Sequence, residues 1–202
     1  MDTALDQEMM QRCIALSVQS GEEGEYPYGV VICRAGAVVC ESINRVAHDR
    51  DVTRHAEVVA ISQAQKTLAT VSLDRTIYAS AEPCAYCCYA IRESRIGRVV
   101  YALRSPHMGG VSKWPVLTDK DISATMPEVF AAPPEITAGF MAKEAEEALF
   151  AWNPVVAGVL KARGLFVAGP LATVGMLGGN RKLAQRMLMF LRRAVFDRFG
   201  RG

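Results

Sequence analysis

Apolar residues at Leu5, Met9, Cys13 and Leu16, followed by Ser17 or Val18, recur near helical spacing and predict a first helix over 5–20, ended by Gly21 to Gly24. Two short apolar segments, Gly29–Arg34 and Ala37–Ser42, flank Ala35-Gly36 and read as a β-hairpin. Helical spacing returns at Ala56, Val59, Ala60 and Gln63, from the His55 turn to about Lys66, and Thr76–Ser80 is the next strand. A second helix of this kind spans roughly Cys84–Ser94, and Arg98–Ala102 is a strand. Ser105–Pro134 is broken by Gly and Pro and reads mostly as loop, before a last helix over about Thr137–Trp152. Strands alternating with helices predict an α/β fold: a three-layer α/β/α sandwich on a mixed sheet, with ligands collecting at strand ends.

The pattern changes after about residue 160. Gly164–Gly179 is apolar and Gly-rich, and Arg181–Arg201 is basic, with Leu183, Met187, Leu188, Leu191, Val195 and Phe199 near helical spacing. The uncharged run is shorter than the roughly 20 residues a membrane-spanning helix needs. A basic amphipathic helix suits a membrane surface, nucleic acid or a second subunit; packing against a subunit or the core is the simplest of these. The division expected is a main domain over 1–160 and an extension over 161–202 without an assigned role.

Composition fits one globular domain, since half of the 202 residues are apolar. The polar, acidic start Met1-Asp2-Thr3-Ala4-Leu5-Asp6 lacks a secretory pattern, so a cytoplasmic setting is expected. The six cysteines then belong to a reducing compartment rather than a disulfide framework. From Arg181 onward there are seven basic residues and one acid, which leaves the rest of the chain with 16 basic and 20 acidic groups, a formal −4. A body of that balance has no run of Lys and Arg with which to grip a folded RNA.

The chemistry is concentrated in His55-Ala56-Glu57 and Pro83-Cys84-Ala85-Tyr86-Cys87. A catalytic zinc takes three protein ligands and leaves the fourth position to water. His55, Cys84 and Cys87 supply three, one zinc per chain, and Glu57 is placed to shuttle protons. The i, i+3 spacing puts both thiols on one helical face, with Pro83 expected in the first helical turn. A Cys-x-x-Cys pair also occurs in structural zinc and redox sites. Cys13, Cys33 and Cys40 lack paired spacing for a fourth ligand, however, and a redox site leaves His55 and Glu57 without a role. Cys87 and Cys88 are adjacent, so one of them is spare.

The His-x-Glu and Pro-Cys-x-x-Cys pair resembles the zinc-dependent cytidine/deoxycytidylate deaminase superfamily. Residues 51–58, Asp-Val-Thr-Arg-His-Ala-Glu-Val, look like guanine deaminases, and residues 94–101, Ser-Arg-Ile-Gly-Arg-Val-Val-Tyr, look like tRNA adenosine deaminases. The likeness covers roughly residues 5–160. It implies a sheet of about five strands, frequent dimers, and hydrolytic deamination by zinc-activated water with Glu57 as acid/base. By the same resemblance, Asn44 hydrogen-bonds the substrate, the Ala56 backbone N–H helps orient it, and Tyr28, in Tyr26-Pro27-Tyr28-Gly29, stands on the pocket wall. Residues 105–110, Ser-Pro-His-Met-Gly-Gly, depart from both families and form the candidate specificity loop, with His107 or Trp114 closing over a base.

The expected substrate is therefore a free nucleobase or nucleoside: guanine, cytosine or a triazine-like amino heterocycle. The expected assembly is a homodimer, with nucleic acid disfavoured and peripheral membrane contact by the C-terminal helix left open. A tRNA adenosine-to-inosine deaminase and a non-catalytic zinc-binding relative are the alternatives.

Overall fold

A computed structural model of the protein describes residues 3–170. The basic helix expected over Arg181–Arg201, and any contact it makes with a membrane or subunit, lie outside the described residues.

The chain forms one five-stranded sheet in the order β2-β1-β3-β4-β5. Helix α1 (Thr3–Glu22) leads into the antiparallel hairpin of β1 (Gly29–Arg34) and β2 (Ala37–Ile43). Strand β3 (Thr76–Ala81) pairs antiparallel with β1, while β4 (Arg98–Leu103) and β5 (Glu135–Ala138) extend the sheet in parallel. The sheet is mixed, as expected.

Period-two alternation sorts the strand side chains to two faces. Val31, Cys33, Tyr78 and Val100 join Met9, Met10 and Cys13 of α1, together with Ala145 and Leu149 of α6 (Ala142–Trp152). Val30, Ile32, Ile77 and Val99 face Ala60 and Ala64 of α3 (Ala56–Leu68) and Ile91 of α4 (Ala85–Glu93). Helices therefore cover both faces, giving the three-layer α/β/α sandwich.

Asp6 of α1 is buried under the first of these layers. Its carboxylate accepts from both Arg98 terminal nitrogens, at 2.6 and 2.8 Å, and from the Tyr78 hydroxyl at 2.7 Å. The Arg98 guanidinium holds the Asp6 carboxyl below its usual range. Helix α1 is thereby fixed to β3 and β4 by charge as well as by apolar contact.

Two sequence expectations are corrected. Thr137 is not the start of a helix: Glu135–Ala138 is β5, Gly139 turns the chain at a φ of +80°, and α6 begins at Ala142. A free edge on β4 recruits this short segment, whose β-branched Ile136 and Thr137 suit a strand. Pro83 lies outside the first turn of α4, because Cys84 is the N-cap and Ala85 the first helical residue. The 105–134 segment is mostly irregular but contains α5 (Lys120–Thr125), capped by Asp119, which accepts from the Asp121 and Ile122 N–H groups. The pattern also missed α2 (Val46–Asp49) and α7 (Pro154–Ala162), the latter capped by Asn153 with proline at its start. After α7 the chain returns to the sheet, where Val167 pairs with Arg104. Among the described residues no helix is long and apolar enough to cross a membrane.

Candidate active site

Helices α3 and α4 begin beside each other, and each begins with a candidate ligand. His55 caps α3 and Cys84 caps α4, both in extended backbone conformation, and neither side chain caps its own helix. Both are thus free to point toward a common centre, facing two helix N-termini whose unpaired N–H groups favour anionic ligands. Cys87 follows one turn into α4 and is fully buried. The His55 Nδ1 lies 3.6 Å from Cys84 Sγ and 3.4 Å from Cys87 Sγ, and the two sulfurs are 3.6 Å apart. Tetrahedral zinc with the usual bond lengths separates such atoms by about 3.5–3.8 Å. All three ligand atoms therefore fit one ion, and they form the metal-competent cluster found among the described residues.

The charges are arranged to suit a cation. Cys84 is brought down to about 4 by the hydrogen bond from Cys87, with His55 adding to the effect. Cys87 is pushed well up by its hydrogen bond with Cys84 and by burial. His55 is raised by its bond to Cys84. Glu57, on the first turn of α3, is buried, and its carboxyl is raised by desolvation and by the Cys84 charge. Glu57 stands close enough to Cys84 and Cys87 for their charges to act on one another, which puts the carboxylate beside the ligand set. Cys88 points elsewhere: its sulfur lies 3.3 Å from the Pro83 carbonyl oxygen, and it is the spare cysteine.

The other sequence candidates divide into two groups. Burial raises the Tyr28 phenol, with the nearby charges of Glu57, Cys84 and Cys87 adding to it, and its ring meets Phe166 edge-on at 5.7 Å. Asn44 is buried just beyond β2, next to Arg45, whose N–H bonds the Arg54 carbonyl oxygen beside His55. Ala56 is buried at the start of α3. His107 and Trp114, by contrast, are exposed on the 105–134 segment, and the Lys113 ammonium sits 5.5 Å from the centre of the Trp114 ring. Trp114 therefore does not anchor that segment to the core.

Sequence reasoning missed three residues. Glu25, buried ahead of β1, accepts from Asn44 Nδ2 at 2.8 Å and from the N–H groups of Ala47 and His48. Glu82, buried before Pro83, gathers the 105–112 segment. Tyr86, exposed between the two ligand cysteines, stands edge-on to His55 at 5.7 Å. Only Tyr86 carried a sequence signal, its place inside the Cys-x-x-Cys turn.

The family model for the cytidine and deoxycytidylate deaminase zinc-binding region matches residues 3–103, half of the chain. A tRNA-specific adenosine deaminase of Aquifex aeolicus is 36% identical over 104 residues, covering 50% of this chain and 69% of that protein. A guanine deaminase of Bacillus subtilis is 40% identical over 95 residues, covering 46% of this chain and 61% of that protein. A structure solved in a study of A-to-I editing by tRNA deaminases at the wobble position superposes with a TM-score of 0.60 at 29% identity, over 70% of this chain and 99% of the other. Ligand cluster, sheet order and sequence agree, and the chain belongs to the cytidine and deoxycytidylate deaminase zinc-binding family, a family of hydrolytic deaminases.

Proposed function

We propose that the protein removes the amino group of a small amino heterocycle, a free nucleobase or nucleoside of guanine, cytosine or triazine type. Water supplies the oxygen of the product and ammonia leaves. The observation that carries this reading is the buried Glu57 carboxylate within electrostatic reach of Cys84 and Cys87, whose sulfurs converge with the His55 ring nitrogen. Those three residues would hold one zinc per chain, which supplies a water acidified to near-neutral pH.

Glu57 accepts the two protons of the attacking water in turn on its carboxylate, whose proton affinity burial has raised, and delivers one to the ring nitrogen and the other to the departing amine, which leaves as ammonia. Asn44 hydrogen-bonds the heterocycle edge. The Ala56 N–H, at the first position of α3 where no intrahelical acceptor exists, orients its polar substituent. Tyr28 lines the wall, and His107 and Trp114 form an outer rim. The working unit is a homodimer, as the family resemblance implies.

A small substrate is favoured by the charge near the site. Arg45 and Arg54, which flank the His55 approach, are both tied to Asp49, at 2.7 and 3.0 Å, rather than free for phosphates. A second reading, deamination of adenosine in tRNA, is supported by the similarity to the Aquifex enzyme. Ammonia release from zinc-loaded protein across free bases, triazines, nucleosides and an anticodon stem-loop separates the two. Turnover of one small heterocycle supports the first reading. Turnover of the stem-loop alone, falling steeply with salt, replaces it with the second.

A further inference from the structure

Glu82 immediately precedes the ligand turn and is 4% exposed. It accepts from the backbone N–H groups of Ser105 (2.8 Å), Val111 (3.0 Å) and Ser112 (2.7 Å) and from the Ser112 hydroxyl (2.5 Å). Four neutral donors from one loop thus converge on a single buried anion, an arrangement of strong charge-assisted bonds. A glutamine could fill the same space, but only a carboxylate accepts on both oxygens at once.

The loop is pressed against the turn as closely as backbone allows. A Cβ on Gly109 would stand 2.1 Å from Glu82 Oε1, and one on Gly110 would stand 2.1 Å from Cys88 Sγ. The main chains also pair: Gly110 N–H donates to the Pro83 carbonyl at 2.9 Å and Ala85 N–H to the Met108 carbonyl at 3.2 Å, placing Gly109 opposite Cys84. Cys84 is therefore held between its own helix and the 105–112 loop.

We propose that Glu82 is a positioning residue for the metal site. Its carboxylate fastens the 105–112 loop to the ligand turn, so that Cys84 and the adjoining wall keep one geometry whether or not metal is bound. The proposal rests on His55, Cys84 and Cys87 being the zinc ligands. It makes the wall preformed, so substrates are selected by its fixed shape rather than by closure of a lid.

Zinc release to a chelator, measured well below the melting temperature, and backbone hydrogen exchange over residues 105–112 with and without zinc test this in full-length Glu82→Gln and Ser112→Ala proteins. Partners that orient metal ligands are typically worth 10- to 100-fold in affinity. Glu82→Gln should release zinc faster by about that factor and lose protection at Val111 and Ser112, with Ser112→Ala shifted the same way by less. In the unsubstituted protein those amides should be protected to the same extent with and without zinc. Unchanged release and protection in Glu82→Gln overturns the proposal; if that variant does not fold, unchanged release in Ser112→Ala does so. A protein that binds no zinc at all sinks the ligand assignment instead, and amide protection alone then judges Glu82.

Discussion

The Asn44 amide nitrogen donates to the Glu25 carboxylate at 2.8 Å, with both residues buried, and this bond fixes which way the amide faces. Turning the amide over would set its oxygen against a carboxylate oxygen, so the orientation of Asn44 is decided before any substrate arrives. Glu25 itself is held by the N–H groups of Ala47 and His48 at the start of α2.

Replacing Asn44 by Ala should raise KM about tenfold, the worth of one ordinary hydrogen bond, with zinc content unchanged. Steady-state kinetics on the heterocycle that the ammonia assay identifies, with metal analysis alongside, checks it. Unaltered KM would remove Asn44 from the substrate site.

Glu57→Gln should keep zinc and melting temperature but lower kcat by about 10²- to 10⁴-fold, the usual value of a general acid/base. Ammonia release at saturating substrate reads this directly. Turnover at the unsubstituted rate would end the role given to Glu57.

Adjacent cysteines should behave oppositely. Cys87→Ala should abolish stoichiometric zinc, whereas Cys88→Ala should retain it, because the Cys88 sulfur faces the Pro83 carbonyl rather than His55. Metal analysis of the two purified variants decides, and zinc loss from Cys88→Ala alone would reverse the assignment.

Asp6→Asn leaves the Arg98 guanidinium with the more distant Glu135 carboxylate as its charge partner and should destabilise the fold by about 3 kcal/mol. Because the folded state depresses the Asp6 carboxyl, its contribution is present in full above the unfolded value of 3.8 and fades as pH falls through the lower folded value. Denaturant unfolding should accordingly show an acid-dependent loss of stability that is smaller in Asp6→Asn than in the unsubstituted protein.

Arg92 is 2% exposed and donates to the carbonyl oxygens of Val116, Asp119 and Ala131 and to the Ser123 hydroxyl. Arg92→Met leaves those acceptors without their donor and should make the 116–131 segment the first site of limited proteolysis, with Tm lowered. A digestion pattern identical to that of the unsubstituted chain would show that the segment holds itself.

What the sequence determined is local. Helical spacing located α1 and α3, and short apolar runs located β1 to β4, because each pattern is set by how one element meets the core. Metal-ligand spacing likewise marked His55, Glu57, Cys84 and Cys87, since the residue types themselves encode the chemistry. Tertiary structure decided the rest. Thr137 joined a strand because the edge of β4 offered partners, which its β-branched side chain suits but does not by itself supply. Glu25, Glu82 and Arg92 look like ordinary surface charges in the sequence. Each became a buried organiser only because folding brought distant backbone donors or acceptors around it, and an unpaired charge could not have remained inside.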